Sequence, residues 1–308
     1  MKSWFQRVLA LVITSGLLVW VLAGARWQEL GSALTRVSPA EFLLAILAFL
    51  ASYLLRAARV HDEFAADTGA RFVSVLRLTL LHNASINVLP FRSGEATFPL
   101  LLKRWFGVPT TRAVVALLWL RIQDAFVVLA LAAFVWPDLP GWLRALWMLA
   151  VLAAAWAIPA WARRHPEIET RSGRFAATVH RVREALAEST RRSLRGWMWT
   201  LANWSVKLLA QAWLLSALLQ APLLTGMSGA LGVELAAILP IQGVAGFGTY
   251  EAGGAALMAA HGVTFSAGLN AALALHLFVI ALALSAGGLA LAFLPGAQPG
   301  FTRENADD

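Results

Sequence analysis

Two apolar runs of this chain stop at a proline and continue as short, glycine-bearing stretches that end in a carboxylate. The first reads Asn87-Val88-Leu89-Pro90-Phe91-Arg92-Ser93-Gly94-Glu95. The second reads Leu239-Pro240-Ile241-Gln242-Gly243-Val244-Ala245-Gly246-Phe247-Gly248-Thr249-Tyr250-Glu251. Proline breaks a helix's hydrogen-bond ladder, and at membrane depth the freed backbone groups must be met by protein or by a water-filled cavity. Arg92 and Glu95 with Gly94 between them suit a cation-lined site for a phosphate, with Glu95 as counter-charge or proton carrier. They equally suit a capped re-entrant loop. Gly243, Gly246 and Gly248 can turn backbone N–H groups toward an anion, or can merely let helices pack closely. The spacing is not that of a phosphate-binding loop, since no Lys-Ser/Thr follows.

Other charges fall inside apolar runs, where each costs about 2.5–3.5 kcal/mol on insertion scales and so needs a partner or water. Arg121 and Asp124 lie three residues apart, on one face of a helix, and can pair. Lys207 stands with Asn203 and Gln211 in a polar stripe at four-residue spacing. That stripe would either line a cavity or hydrogen-bond between helices. Arg56 and Arg59 close another apolar run and could reach the interface with their long stems. No HExxH metal motif, no GxSxG nucleophile elbow and no cysteine occurs. His82, His261 and His276 read as satisfied interior residues rather than ligands. Asp124, Glu95, Glu234 and Glu251 form no recognisable catalytic pair. The expectation is therefore of no enzyme, no metal and no cofactor.

The elements that must position these residues are membrane helices. Of 308 residues, 59% are hydrophobic and only 14% charged, a composition that excludes an ordinary soluble core. Apolar runs near the 20 residues needed to span cover roughly 5–24, 40–60, 72–89, 113–135, 141–161, 197–220, 229–240 with 249–261, and 268–294. The fold class expected is an all-α polytopic membrane protein of about eight segments, two of them broken or re-entrant hairpins. Lys2, Arg7 and Ala23-Gly24-Ala25 around the first run also suit a cleaved signal peptide, but a retained span agrees better with the rest of the chain. Trp4, Trp27, Trp105, Trp136, Trp142, Trp161 and Trp197 fall near span ends, where indoles favour the headgroup zone.

Net charge is +8, but it sits in loops between spans and so does not point to nucleic acid. The segment 163–195 carries nine arginines against four glutamates, which puts it in the cytoplasm by the positive-inside rule. Both termini are then cytoplasmic as well. On this bookkeeping 72–102 and 229–262 enter from opposite sides, the geometry of an inverted repeat with a site near the midplane. The matching residues are few, so the repeat is left open. The organisation expected is one transmembrane domain over 1–296, with halves near 1–135 and 197–296, a basic linker over 163–195 and a disordered cytoplasmic tail over 297–308. Phe175, Val179, Val182 and Leu186 recur at helical spacing in the linker. They indicate an amphipathic helix, lying either on the inner leaflet or on the protein itself.

Taken in order, Leu54-Leu55-Arg56-Ala57-Ala58-Arg59, Asn87-x-x-Pro90-x-Arg92-x-Gly94-Glu95, Arg121-x-x-Asp124 and Pro240 through Gly246-x-Gly248-x-x-Glu251 resemble the lysylphosphatidylglycerol synthase transmembrane-domain family. Its members are also called flippase-like membrane proteins. The resemblance covers roughly residues 5–295. It implies an inner-membrane bundle of about eight helices with re-entrant segments, and a role in moving lipids or lipid-linked molecules between leaflets. Bifunctional members carry a soluble aminoacyl-transferase domain after the membrane part. This chain ends about fourteen residues after position 294, so translocation without aminoacylation is expected. The central glycine run is looser here, as Gln242-Gly243-Val244-Ala245-Gly246.

The function expected is a lipid flippase or transporter of the bacterial inner membrane, acting on an anionic phospholipid or polyprenyl-phosphate-type lipid. Its expected binding set is Arg56, Arg59, Asn87, Arg92, Glu95, Arg121, Asp124, Lys207, Gln242, Gly246, Gly248 and Glu251. Arg92, Arg121 and Lys207 would contact the headgroup; Glu95, Asp124 and Glu251 would pair these cations, and one of them would couple movement to a proton. A solute carrier using the same broken helices, and a scaffold for a lipid-modifying enzyme that docks through the linker, are the alternatives. A homo-oligomer is compatible with all three.

Overall fold

The computed structural model describes residues 31, 34–69, 71–135, 139–163, 174–190, 193–238 and 244–295; within these, the side chains of 90–92, 163, 174–180, 193 and 244 lie outside the description. The expected first span, the tail, Gln242 and the side chain of Arg92 therefore fall outside the described residues, as do Trp4, Trp27 and Trp136. Among the described residues the chain is helical and holds no strand. These residues form eleven α-helices, in order α1 Pro39–Glu63, α2 Ala65–Thr68, α3 Phe72–Val88, α4 Thr97–Phe106, α5 Thr110–Val135, α6 Gly141–Arg163, α7 Arg174–Thr190, α8 Ser193–Leu219, α9 Leu223–Ile238, α10 Thr249–Ala259 and α11 Phe265–Phe293. Two 3-10 turns interrupt them, at Pro90–Ala96 and Val244–Gly246.

Local chemistry sets many of these ends. Ser38 caps α1 reciprocally with Glu41: the Glu41 N–H donates to Ser38 Oγ at 3.2 Å, and the Ser38 N–H donates to the Glu41 carboxylate at 2.8 Å. Pro39 then fills the first helical position, where its missing N–H costs nothing. α3 ends at Leu89, in extended backbone ahead of Pro90, as the residue before a proline prefers.

Among the described residues four helices, α1, α5, α6 and α11, are long and apolar enough to cross a membrane. The count becomes five if α8 and α9, which bend by 120° at their junction, make one span. The expected count of eight is not confirmed: the first expected span lies outside the described residues, and other helices are too short to span alone. α3, α9 and α10 have 17, 16 and 11 residues, because the breaks at Pro90 and near Val244 cut their runs short. Trp142 and Trp161, at the two ends of α6, are 71% and 56% exposed.

The main core joins α1, α5, α8, α9, α10 and α11 around Phe49, Trp204, Leu214, Leu215, Met258 and Leu275. A second cluster of Val60, Phe64, Leu78, Phe98 and Leu102 ties the end of α1, α3 and α4 to α5. Gly94 lies against the backbone of Ser85 and Ile86, so that a Cβ there would collide with α3. Gly232 and Gly253 meet in the same way between α9 and α10. The linker helix α7 packs on α5 and α6. Val182 of the proposed apolar stripe stays 39% exposed, whereas Ala185 and Ser189 are buried.

Candidate functional site

Both broken stretches border one cavity of about 330 Å³. α1 contributes Ser52, Tyr53 and Arg56, and α3 contributes Asn83 and Asn87. Glu95 enters from the first 3-10 turn, and Arg121 and Asp124 from α5. Trp204 and Lys207 stand on α8, Glu234 on α9, Gly246 on the second turn, Tyr250 on α10 and His276 on α11. A cavity of this size, polar at several points and walled by aromatics, suits one small headgroup or solute.

Most of its charges are already matched. Arg121 bridges Glu95 at 3.0 Å and Asp124 at 3.5 Å, so the pairing expected at three-residue spacing forms and extends to the broken segment. Asp124 also takes hydrogen bonds from Arg59 at 2.6 Å and Trp204 at 2.9 Å. Lys207 pairs with Glu234 at 2.6 Å and lies 4.6 Å from the centre of the Trp204 ring. Arg56 is different. Its guanidinium donates to Asn83 at 3.1 Å, and among the described residues no carboxylate comes within 4.0 Å. Among the described residues it is the cation that faces this cavity without a carboxylate in contact.

Several expected site residues take other roles. Arg59 does not reach an interface: it is 4% exposed and held by Asp124, the Leu120 carbonyl and Gln123. It lies behind Asp124 and fixes that carboxylate. Glu251 does not line the cavity either. Its carboxylate accepts from the Gly248 N–H at 2.7 Å and meets His276 Nδ1 at 2.6 Å. The Gly248 N–H is therefore spent on capping α10 and is not offered to an anion. Gly246, at φ +85, does border the cavity, facing His276. Asn87 borders it while donating to the Asn83 carbonyl at 2.7 Å. In the polar stripe on α8, Lys207 reaches the cavity, Asn203 accepts from Ser52 at 2.8 Å, and Gln211 donates to Glu234 at 2.7 Å. His82, His276 and His261 each meet a polar side chain, Thr97, Glu251 and Ser228 respectively.

A family model described as the lysylphosphatidylglycerol synthase TM region matches residues 7–287. The chain belongs to that family. Membership and the apolar helices make it a multi-pass membrane protein, and the family is one connected with lipid metabolism or transport. No curated protein and no solved structure matches the chain. The motif residues Arg56, Asn87, Glu95, Arg121, Asp124 and Gly246, far apart in sequence, come together around this one cavity.

Sequence reasoning missed Tyr53, Asn83, Trp204, Glu234, Tyr250 and His276 as cavity residues. Glu234 carried a usable signal: a lone carboxylate within an apolar helix needs a partner, and Lys207 is a lone lysine within another. Nothing local distinguished the aromatic residues from core packing.

Proposed function

We propose that this protein moves a lipid with an anionic phosphate headgroup between the leaflets of a bacterial inner membrane, with both its termini in the cytoplasm. The carrying observation is Arg56. A guanidinium turned into a cavity without a carboxylate is a strong acceptor for a phosphate oxygen, which it can hold with paired N–H donors. The neighbouring Asn83 and Asn87 amides, the Tyr53 hydroxyl and the matched charges around them supply polar contacts without cancelling that attraction. Family membership supports a lipid as the bearer of the phosphate. The headgroup would sit in the cavity while its acyl chains stay in the bilayer. The protein then acts as a carrier, with no bond made or broken in the lipid.

The test is headgroup movement in proteoliposomes, comparing fluorescent phosphatidylglycerol with a zwitterionic lipid. Wild-type protein is expected to move the anionic lipid faster. Arg56→Gln is expected to slow it by about 10- to 100-fold, the equivalent of one lost charged hydrogen bond. Equal movement of both lipids by wild type and variant would defeat the reading. Movement of neither would favour a solute carrier or a scaffold.

A further inference from the structure

Of the four carboxylates that the described residues place in and behind the cavity, three are locked. Asp124 is held by Arg59, Arg121 and the Trp204 indole. Glu95 is paired with Arg121, whose guanidinium keeps its proton throughout. Glu251 caps α10 and carries His276. Glu234 is held otherwise. Its cation is Lys207, a single ammonium on a flexible stem that itself borders the cavity. The remaining contact to Glu234 that the geometry shows is from Gln211, whose other amide atom, Oε1, is buried and without a hydrogen-bond partner.

From this arrangement we infer that Lys207 and Glu234 form a proton-coupling pair, so that one proton enters with each anionic headgroup. The inference rests on the anionic-headgroup reading above. A phosphate monoanion beside Arg56 attracts the Lys207 ammonium, which turns from Glu234 toward the phosphate. Glu234, only 5% exposed, would then be a buried carboxylate without a cation, a strongly unfavourable state. It relieves this by taking a proton from bulk solvent, relayed through the water that enters with the headgroup, so that no hydroxide is left in the cavity. Rotation of the Gln211 amide lets Oε1 accept the hydrogen bond of the new carboxylic acid. When the phosphate leaves, Lys207 returns and the proton departs to water. Charge and protons balance at every stage: one anion and one proton enter, one anion and one proton leave.

Other charged and titratable groups surround this pair. They are Tyr53 and Arg56 on α1, Asp124 on α5, Tyr250 and Glu251 on α10 and His276 on α11. Asp124 is held by Arg59, Arg121 and Trp204, and Arg56 is a guanidinium, which does not give up its proton. The Tyr250 hydroxyl faces Gln211 at 3.4 Å, and its ring stacks on His276 with centroids 4.2 Å apart. His276 is tied to Glu251 at 2.6 Å.

The deciding experiment is calorimetric titration of the purified full chain with short-chain phosphatidylglycerol, in two buffers of different ionisation enthalpy. The difference reads protons taken up per lipid bound. About one is expected for wild type and about zero for Glu234→Gln, whose neutral amide cannot exchange a proton. Lys207→Arg is a second variant, needed in case Glu234→Gln folds poorly. A guanidinium stays on the carboxylate, so uptake should again vanish. A His261→Gln variant, at an imidazole that meets Ser228 away from the cavity, should retain the uptake. Binding of the lipid without proton uptake, or uptake that survives Glu234→Gln, overturns the coupling pair alone. No binding of the lipid by wild type overturns the anionic-headgroup reading and the pair with it.

Discussion

Arg56 and Arg59 stand three residues apart on the same helix, yet one faces the cavity and the other is sealed behind Asp124. The consequence is opposite roles for like residues. Removing Asp124 leaves Arg59 buried without its carboxylate, and breaking such a pair costs about 3–5 kcal/mol. Asp124→Ala is therefore expected to lower the melting temperature in detergent sharply, whereas Arg56→Gln should change it little and act on lipid movement instead. Equal melting temperatures for wild type and Asp124→Ala would contradict the packing described. Glu251 belongs with Arg59: its capping bond to Gly248 and its contact with His276 are supports that hold the wall in place.

At the scale of elements, the first broken segment is held down by one missing side chain. Gly94 rests on the backbone of α3, which keeps Glu95 within reach of Arg121 at 3.0 Å. An added methyl must push the turn away, and overpacking of this kind typically costs about 1–3 kcal/mol. Gly94→Ala should thus reduce both thermal stability and lipid movement, while Gly107→Ala, where a Cβ meets open space at φ +69, should show only the smaller strain of its left-handed backbone. If the two variants behave alike, close contact is not what Gly94 provides. The second break was legible as a location from Pro240 and the glycines. Its geometry near Ala245, which adopts φ 53, was not, because a left-handed alanine leaves no mark in the residue pattern.

Over the whole molecule, the linker helix α7 is tied to the membrane helices through Arg112. That residue reaches Glu63 on α1 at 2.7 Å, and Glu188 and Ser189 on α7 at 3.4 and 2.6 Å. Its guanidinium also lies 4.8 Å from the Phe64 ring centre. One cation thus joins three helices. Arg112→Ala should release α7, raising amide exchange over 181–190 by about tenfold or more if local opening governs it. Unchanged exchange there would mean that packing on α5 and α6 suffices without the ion pairs. The reading as a lipid carrier makes α7 a tether at one end of the bundle, apart from the cavity.

Composition and the lengths of the apolar runs determined that this is a helical membrane protein, because burying polar backbone in lipid leaves few alternatives. The order of its motifs determined the family, since several weak signals in a fixed sequence are jointly specific. The prolines determined where two runs must stop, because a missing N–H acts locally. Which charges face each other was decided only by tertiary structure. A helix's side chains are ordered by its own period, but the partner across a gap depends on how two helices meet. Hence Arg121 with Asp124, three residues apart, could be read directly, whereas Arg59 with Asp124 and Lys207 with Glu234, 65 and 27 positions apart, could not. The same holds for Arg56: that no carboxylate among the described residues answers it is a property of the assembled cavity, which no stretch of the chain contains by itself.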